Sequence, residues 1–277
     1  MLLFIFFSVV CCSQKTFLEK KIFLGQEISA AILNKGEIVY KQNCQSCHGL
    51  HGDGLGVTGK ILNPQPRNFT QGIFKFGTTS GLPTDQDLFN IIQQGIRGTA
   101  MLPWSLTPQD LYSVTQYIKT FSSAWEGSPP EKIQFIEDPY GPSKKKFAIE
   151  KGKELYHTVT NCMICHKSYV SKEEYKTLLE GEDSSLANQP DFFFEKIQET
   201  EYYTFNKTTP QKSLPPDFTL HQLRFLHIEK TLEEAIYRRL AVGVTGGSMP
   251  PWKDLIPDTE IYAIAYYVAD LISQGVQ

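Results

Sequence analysis

Two short runs of the sequence repeat one pattern: Cys44-Gln45-Ser46-Cys47-His48 and Cys162-Met163-Ile164-Cys165-His166. Cys-x-x-Cys-His sets two thiols and an imidazole within about one turn of chain. Thiols so spaced form thioether bonds to the vinyl groups of a haem, and the adjacent imidazole is thereby held under the iron as its proximal ligand. A dithiol of this spacing also serves disulfide exchange in a βαβ unit, and zinc binding where paired motifs together supply four ligands. Neither context surrounds these motifs. Each is therefore read as the attachment point of one covalent haem c (heme c), two per chain.

An iron held by one histidine has a second axial position, and its occupant separates a carrier from a catalyst. A thioether keeps the iron six-coordinate and favours Fe(II). Of the four methionines, Met1 starts the chain and Met163 is a spacer inside the second motif. The other two lie in Ala100-Met101-Leu102-Pro103-Trp104 and Ser248-Met249-Pro250-Pro251-Trp252, at matching places after each motif. Met101 and Met249 are accordingly the expected partners of His48 and His166; the alternative for each is a core side chain filling an irregular gap. His221 and His227 are rivals for the second iron, while His51 and His157 read as solvated or haem-edge residues. A buried haem leaves two propionates to be matched by cations or amides. Arg67 and Arg224, near the Phe-Thr segments, are the candidates, the alternative for each being an ordinary surface arginine.

The elements that must position these groups recur in one order, roughly 120 to 150 residues apart. Gly36-x-x-x-Tyr40 leads into the first motif and Gly152-x-x-x-Tyr156 into the second. Pro66-Arg67-Asn68-Phe69-Thr70 then corresponds to Pro216-Asp217-Phe218-Thr219, with a one-residue difference inside the motif. Amphipathic helices follow, with Leu88, Ile91 and Ile92 on one and Leu232, Ala235, Ile236 and Leu240 on the other. Thr84-x-x-Asp87 and Thr231-x-x-Glu234 read as capping boxes, and Gly95 and Gly243 as left-handed stops. Closing helices run from Leu111 to Phe121, preceded by Thr107-Pro108, and from Ile261 to Leu271, with Tyr117 and Tyr267 in register.

This pattern predicts an all-α fold in two parts, each of a few helices with long loops: 30–125 and 145–277, joined by a linker over 126–144. An insertion at 168–211, rich in Glu, Asp, Tyr and Phe, lengthens the second part. Its Phe192-Phe193-Phe194 and Tyr202-Tyr203 are expected to pack over the second haem rather than dock a partner.

The chain has 277 residues, 41% of them hydrophobic, enough to bury two cores. A net charge of -3 gives no basic face for nucleic acid. Of six cysteines, four lie in the motifs, leaving only Cys11 and Cys12. These follow the apolar run Met1 to Val10, too short to span a bilayer, which reads as a signal segment over 1–12 despite lacking a preceding Lys or Arg. Ser8-Val9-Val10-Cys11 resembles a lipobox, so a lipid anchor on Cys11 or Cys12 is the expectation, with an ordinary cleaved signal as the alternative.

Taken in order, Gly36, Tyr40, Cys44, Cys47, His48, Gly49, Gly95, Met101 and Tyr117 resemble the class I cytochrome c family. Gly152, Tyr156, Cys162, Cys165, His166, Gly243, Met249 and Tyr267 resemble it again, in tandem dihaem form. The resemblance implies that the first and last helices of each domain cross, glycine against aromatic residue, with the haem wedged below and one edge exposed. The second part departs in having Lys167 where Gly49 stands, two extra residues before its motif, and the insertion. The function implied is electron transfer between a redox donor and acceptor, membrane respiratory complexes, in the periplasm or cell envelope, with nothing chemically transformed. Alternatives are a haem subunit of an oxidase or dehydrogenase complex, or a dihaem peroxidase-like enzyme if one iron is open.

Overall fold

The computed structural model describes residues 17–79, 81–180, 200–202, 211–213, 215–220 and 230–275, together with Phe193, Lys196 and Leu223. The expectations placed on 1–12, Cys11, Cys12, Phe192, Phe194, Tyr203, His221, Arg224 and His227 fall outside these residues. The order is β1 (Lys21–Phe23), β2 (Gln26–Ile28), α1 (Ala30–Asn43), α2 (Gln45–His48), α3 (Asp85–Gln94), α4 (Pro108–Lys119), α5 (Lys145–His157), α6 (Lys172–Glu180), β3 (Thr200–Tyr202), β4 (Gln211–Ser213), α7 (Leu232–Val242) and α8 (Asp258–Gly275). The chain is mostly helical, as its periodicity predicts; among the described residues sheet is confined to the antiparallel pairs β1–β2 and β3–β4. No described helix is long and apolar enough to cross a membrane.

Buried apolar side chains form two clusters. Leu33, Val39 and Tyr40 of α1 meet Leu88 and Ile92 of α3 and Leu111, Val114 and Tyr117 of α4 in the first. Ala148, Leu155 and Tyr156 of α5 meet Ile236 and Leu240 of α7 and a long apolar face of α8 in the second. In each, the two principal helices cross at a glycine. A Cβ on Gly36 would collide with the Ser113 carbonyl and stand 2.7 Å from Tyr117 Cβ; one on Gly152 would collide with the Ala263 carbonyl and stand 2.9 Å from Tyr267 Cβ. The missing side chain is what allows backbone to touch backbone.

Local signals set the helix ends. Thr107 accepts a bond from Asp110 N–H ahead of Pro108. Thr84 and Asp87 form a reciprocal capping box at α3, whereas at α7 Thr231 accepts from Glu234 N–H. The hairpin β1–β2 turns through Leu24 and Gly25, both at positive φ, and buries Phe23 and Ile28 in the first core. Leu24 N–H donates to the Trp125 carbonyl (2.8 Å), locking the hairpin to the segment that leaves α4. Within 168–211, Tyr175 of α6 and Phe193 lie 5.8 Å apart, both against the second core.

Candidate functional site

The first motif begins where α1 stops. Cys44 N–H still donates to the Tyr40 carbonyl (2.8 Å), and Cys47 and His48 N–H both return to the Cys44 carbonyl (3.2 and 2.9 Å). This single turn brings side chains at i, i+3 and i+4 to one face. His48 Nδ1 lies 3.1 Å from the Arg67 carbonyl. A carbonyl only accepts, so Nδ1 carries the proton and Nε2 keeps a bare lone pair, the form a metal binds. The ring stacks on Phe69 at 4.4 Å and 16°. Burial lowers the imidazole's pKa, opposed by its bond to the Arg67 carbonyl, and the ring stays neutral.

The second motif repeats this arrangement. His166 N–H donates to the Cys162 carbonyl (2.9 Å), Nδ1 lies 3.3 Å from the Pro216 carbonyl, and the ring stacks on Phe218 at 4.7 Å and 24°. Burial takes its pKa down to about 4. The structure refines the register of the two Pro-Phe-Thr segments: Asn68 matches Asp217, each bonding through Oδ1 to the N–H and hydroxyl of the following Thr70 or Thr219. Arg67 therefore corresponds to Pro216. The first histidine's carbonyl partner belongs to a cation, and the second's does not.

Each motif is tied back to its leading helix by a tyrosine: Tyr40 Oη donates to the Gly49 carbonyl (2.7 Å), Tyr156 Oη to the Lys167 carbonyl (3.1 Å). Lys167 thus replaces Gly49 without loss of that bond, because only its backbone is used.

The methionines sit at the ends of two similar loops, half-buried against the first and second cores respectively. Ile96 N–H donates to the Met101 carbonyl (2.8 Å) and Trp104 N–H to Ile92 (3.0 Å); Val244 N–H donates to Met249 (3.1 Å) and Trp252 N–H to Leu240 (3.0 Å). Gly95 and Gly243 end their helices at φ +67° and +72°, but with ψ of -166° and -159°. This corrects the left-handed stop expected there: the backbone occupies the positive-φ extended region that glycine alone enters freely. The reason is space. A Cβ on Gly95 would lie 2.5 Å from the Met101 carbonyl oxygen, and one on Gly243 2.6 Å from Pro251 N.

Two further expectations are corrected. His157, read as solvated or haem-edge, is fully buried, which removes the solvated alternative: its ring is set edge-on to Tyr156 (4.8 Å) and close to Tyr267 (5.8 Å), because it sits on the face of α5 that turns toward α8. His51 is exposed, as expected. Met163 is also fully buried, packed into the second core, so this spacer carries packing. The residues that sequence reasoning passed over are Phe69 and Phe218, and Tyr169, whose hydroxyl accepts from Phe218 N–H (2.9 Å). The signal for the two phenylalanines was the repeated Phe-Thr pair, readable only once its register is known; Tyr169 has no counterpart signal.

The donor set fits a covalently attached porphyrin. Cys44, Cys47, Cys162 and Cys165 form no disulfide with one another. Burial pushes Cys44 up to about 12 and Cys162 up to about 11, opposite to the depressed thiol that disulfide exchange requires. Among the described residues no three His, Cys, Asp or Glu side chains gather as a zinc site would need. Alkylated thiols carry no ionisation cost when buried, and two neutral imidazoles offer bare Nε2 atoms.

Residues 31–118 match the family model of cytochrome c oxidase, cbb3-type, subunit III. No curated protein matches the chain. Among solved structures, a chain of the reducing HAO-like protein complex of Kuenenia stuttgartiensis superposes with a TM-score of 0.63 at 30% sequence identity, over 86% of this chain and 96% of that one. With the attachment motif, its neutral histidine and the crossing helices already in place, these matches identify the chain as a member of the class I cytochrome c family, whose covalent haem c carries electrons.

Proposed function

We propose that the chain is a dihaem electron carrier of two tandem cytochrome c domains, with iron ligated by His48 and Met101 in the first and by His166 and Met249 in the second. The observation that carries this reading is the duplicated proximal arrangement: a histidine one turn after a cysteine, Nδ1 on a backbone carbonyl, ring stacked on a phenylalanine. When bound, haem c supplies a reversible one-electron couple. The residues around it hold its ligand in one tautomer and one orientation, so little reorganises as charge changes. Met101 and Met249, at the ends of similar loops, would each supply a thioether to the iron, raising the potential relative to a second imidazole. An iron held by both a histidine and a methionine would leave no place for substrate, which argues for carriage over peroxidase-like catalysis.

The carrier works in the periplasm or cell envelope, exported by the segment 1–12 and tethered by lipid when processed at Cys11 or Cys12. The related chain from a reducing HAO-like complex favours a second role, as a haem subunit bound to a redox partner in an assembly. The test is haem stoichiometry by intact mass, with carbon monoxide binding to the reduced protein. Two haems in the wild type, one after Cys162→Ser/Cys165→Ser, and slow or no carbon monoxide uptake are expected. One haem in the wild type, or rapid uptake at either, overturns the reading.

A further inference from the structure

The two methionine loops align residue for residue, Ile96-Arg97-Gly98-Thr99-Ala100-Met101 with Val244-Thr245-Gly246-Gly247-Ser248-Met249, and they are braced differently. In the first, Thr99 ties the loop to itself: its hydroxyl donates to the Ile96 carbonyl (2.7 Å) and accepts from Met101 N–H (3.1 Å). The matching residue in the second is Gly247, which has no hydroxyl to do either.

What the second loop has instead is the first half of the molecule. A Cβ on Gly98 would meet nothing within 4 Å, whereas one on the matching Gly246 would lie 2.5 Å from Ile73 Cγ2. Next to this contact, where the first half has Ile91, the second has Arg239. Its Nη1 lies 3.2 Å from the Gly243 carbonyl, at the root of the methionine loop, and 3.5 Å from the Gly77 carbonyl across the junction; its guanidinium sits 5.4 Å over the Phe76 ring. Its buried Nε has no partner among the described residues. Burial lowers its pKa to about 10, with Asp87 of α3 opposing, so it stays charged at neutral pH.

We propose that Arg239, with Ile73 beneath Gly246, is a positioning clasp through which the first half holds the Met249 loop in place, doing across the junction what Thr99 does within the first loop. It follows that thioether ligation of the second iron depends on docking of the two halves, while that of the first does not. The inference rests on Met249 being the ligand. A guanidinium bridging two carbonyls is worth enough to change loop opening about tenfold or more when removed.

The experiment is titration of the oxidised full chain with imidazole, which competes with a methionine for iron, followed through the thioether-to-iron charge-transfer absorption. In Arg239→Ala one of the two haems takes imidazole about tenfold more tightly, Arg239→Lys recovers part of the difference, and Arg239→Ala/Gly247→Thr recovers more by restoring the hydroxyl. Ile73→Ala, which empties the contact under Gly246, carries the same test should Arg239→Ala not fold. Unchanged imidazole affinities in these variants, with two thioether absorptions in the wild type, overturn the clasp alone. A wild type showing the absorption from only one haem overturns the ligand reading and the clasp together.

Discussion

The two halves hold the histidines of their Cys-x-x-Cys-His motifs in one geometry with different materials. In the first, the segment after His48 is backbone work: Gly54 N–H bonds the His48 carbonyl (2.9 Å), Gly56 N–H the Cys47 carbonyl (3.2 Å), Thr58 N–H the Ser46 carbonyl (2.9 Å), and Phe69 N–H the Gly52 carbonyl (2.7 Å). A Cβ on Gly56 would lie 2.6 Å from the Gln45 carbonyl oxygen, so the loop depends on glycine to lie this close. In the second, side chains take over. Phe218 N–H donates to Tyr169 Oη (2.9 Å), and Lys167 pairs with Asp217 (2.9 Å) while lying over the Tyr169 ring (5.1 Å). Side chains reach farther than a glycine loop, so His166 and Pro216 can be joined by a long insertion without disturbing the carbonyl and phenylalanine that face the imidazole. The shared geometry belongs to the chemistry; the means of holding it are free to differ.

The equivalence of the halves is tested most severely at the helix crossings. Gly36→Val and Gly152→Val each push a side chain into backbone and are expected to lower stability by about 3 kcal/mol or more in thermal unfolding. A cost under about 1 kcal/mol at either would show that its crossing is not the tight contact described.

His157 distinguishes the halves by pH. Its Nδ1 donates to the Lys153 carbonyl (2.7 Å), and burial between Tyr156 and Tyr267, opposed by that carbonyl bond and by Glu174 and aided by the Lys153 charge, lowers its pKa from 6.5 to about 4. The unfolded imidazole therefore takes up a proton first as pH falls. Stability from this residue is full above about pH 6.5 and declines between there and pH 4, by about 3 kcal/mol in all. Denaturation of His157→Gln across that range should be flatter than wild type; parallel curves would contradict the buried neutral ring.

Tyr169→Phe sharpens the contrast in materials. It strands Phe218 N–H and is expected to cost about 2 kcal/mol and to weaken the second site alone. Equal loosening of both motif sites would mean that the halves are not held separately. The smallest effect concerns the caps: Thr84→Ala, which breaks a reciprocal box, should cost about 1.5 kcal/mol, and Thr231→Ala less, about 0.5 to 1 kcal/mol, by chemical denaturation.

Much of this was legible in the chain because it is local. Cysteine spacing, Thr107-Pro108, the capping residues and the glycines at α1 and α5 each act within a few residues or mark a crossing by their size. What stayed hidden depends on distant partners. Lys119, almost wholly buried, pairs with Asp85 (2.5 Å), 34 residues earlier in the chain, and lies over Trp125 (5.3 Å) just beyond α4. His157 follows a helix-face residue by one position, so nothing local says that α8 will cover it. The match of Arg67 with Pro216 was obscured because the function there is a backbone carbonyl, which any residue supplies.

The most direct test of the central claim is the thioether-to-iron charge-transfer absorption of the oxidised protein, measured per haem in the wild type and in Met101→Ala and Met249→Ala. Two equivalents in the wild type and one in each variant are the expected result. One equivalent in the wild type, unchanged by either substitution, would contradict His/Met ligation at both irons.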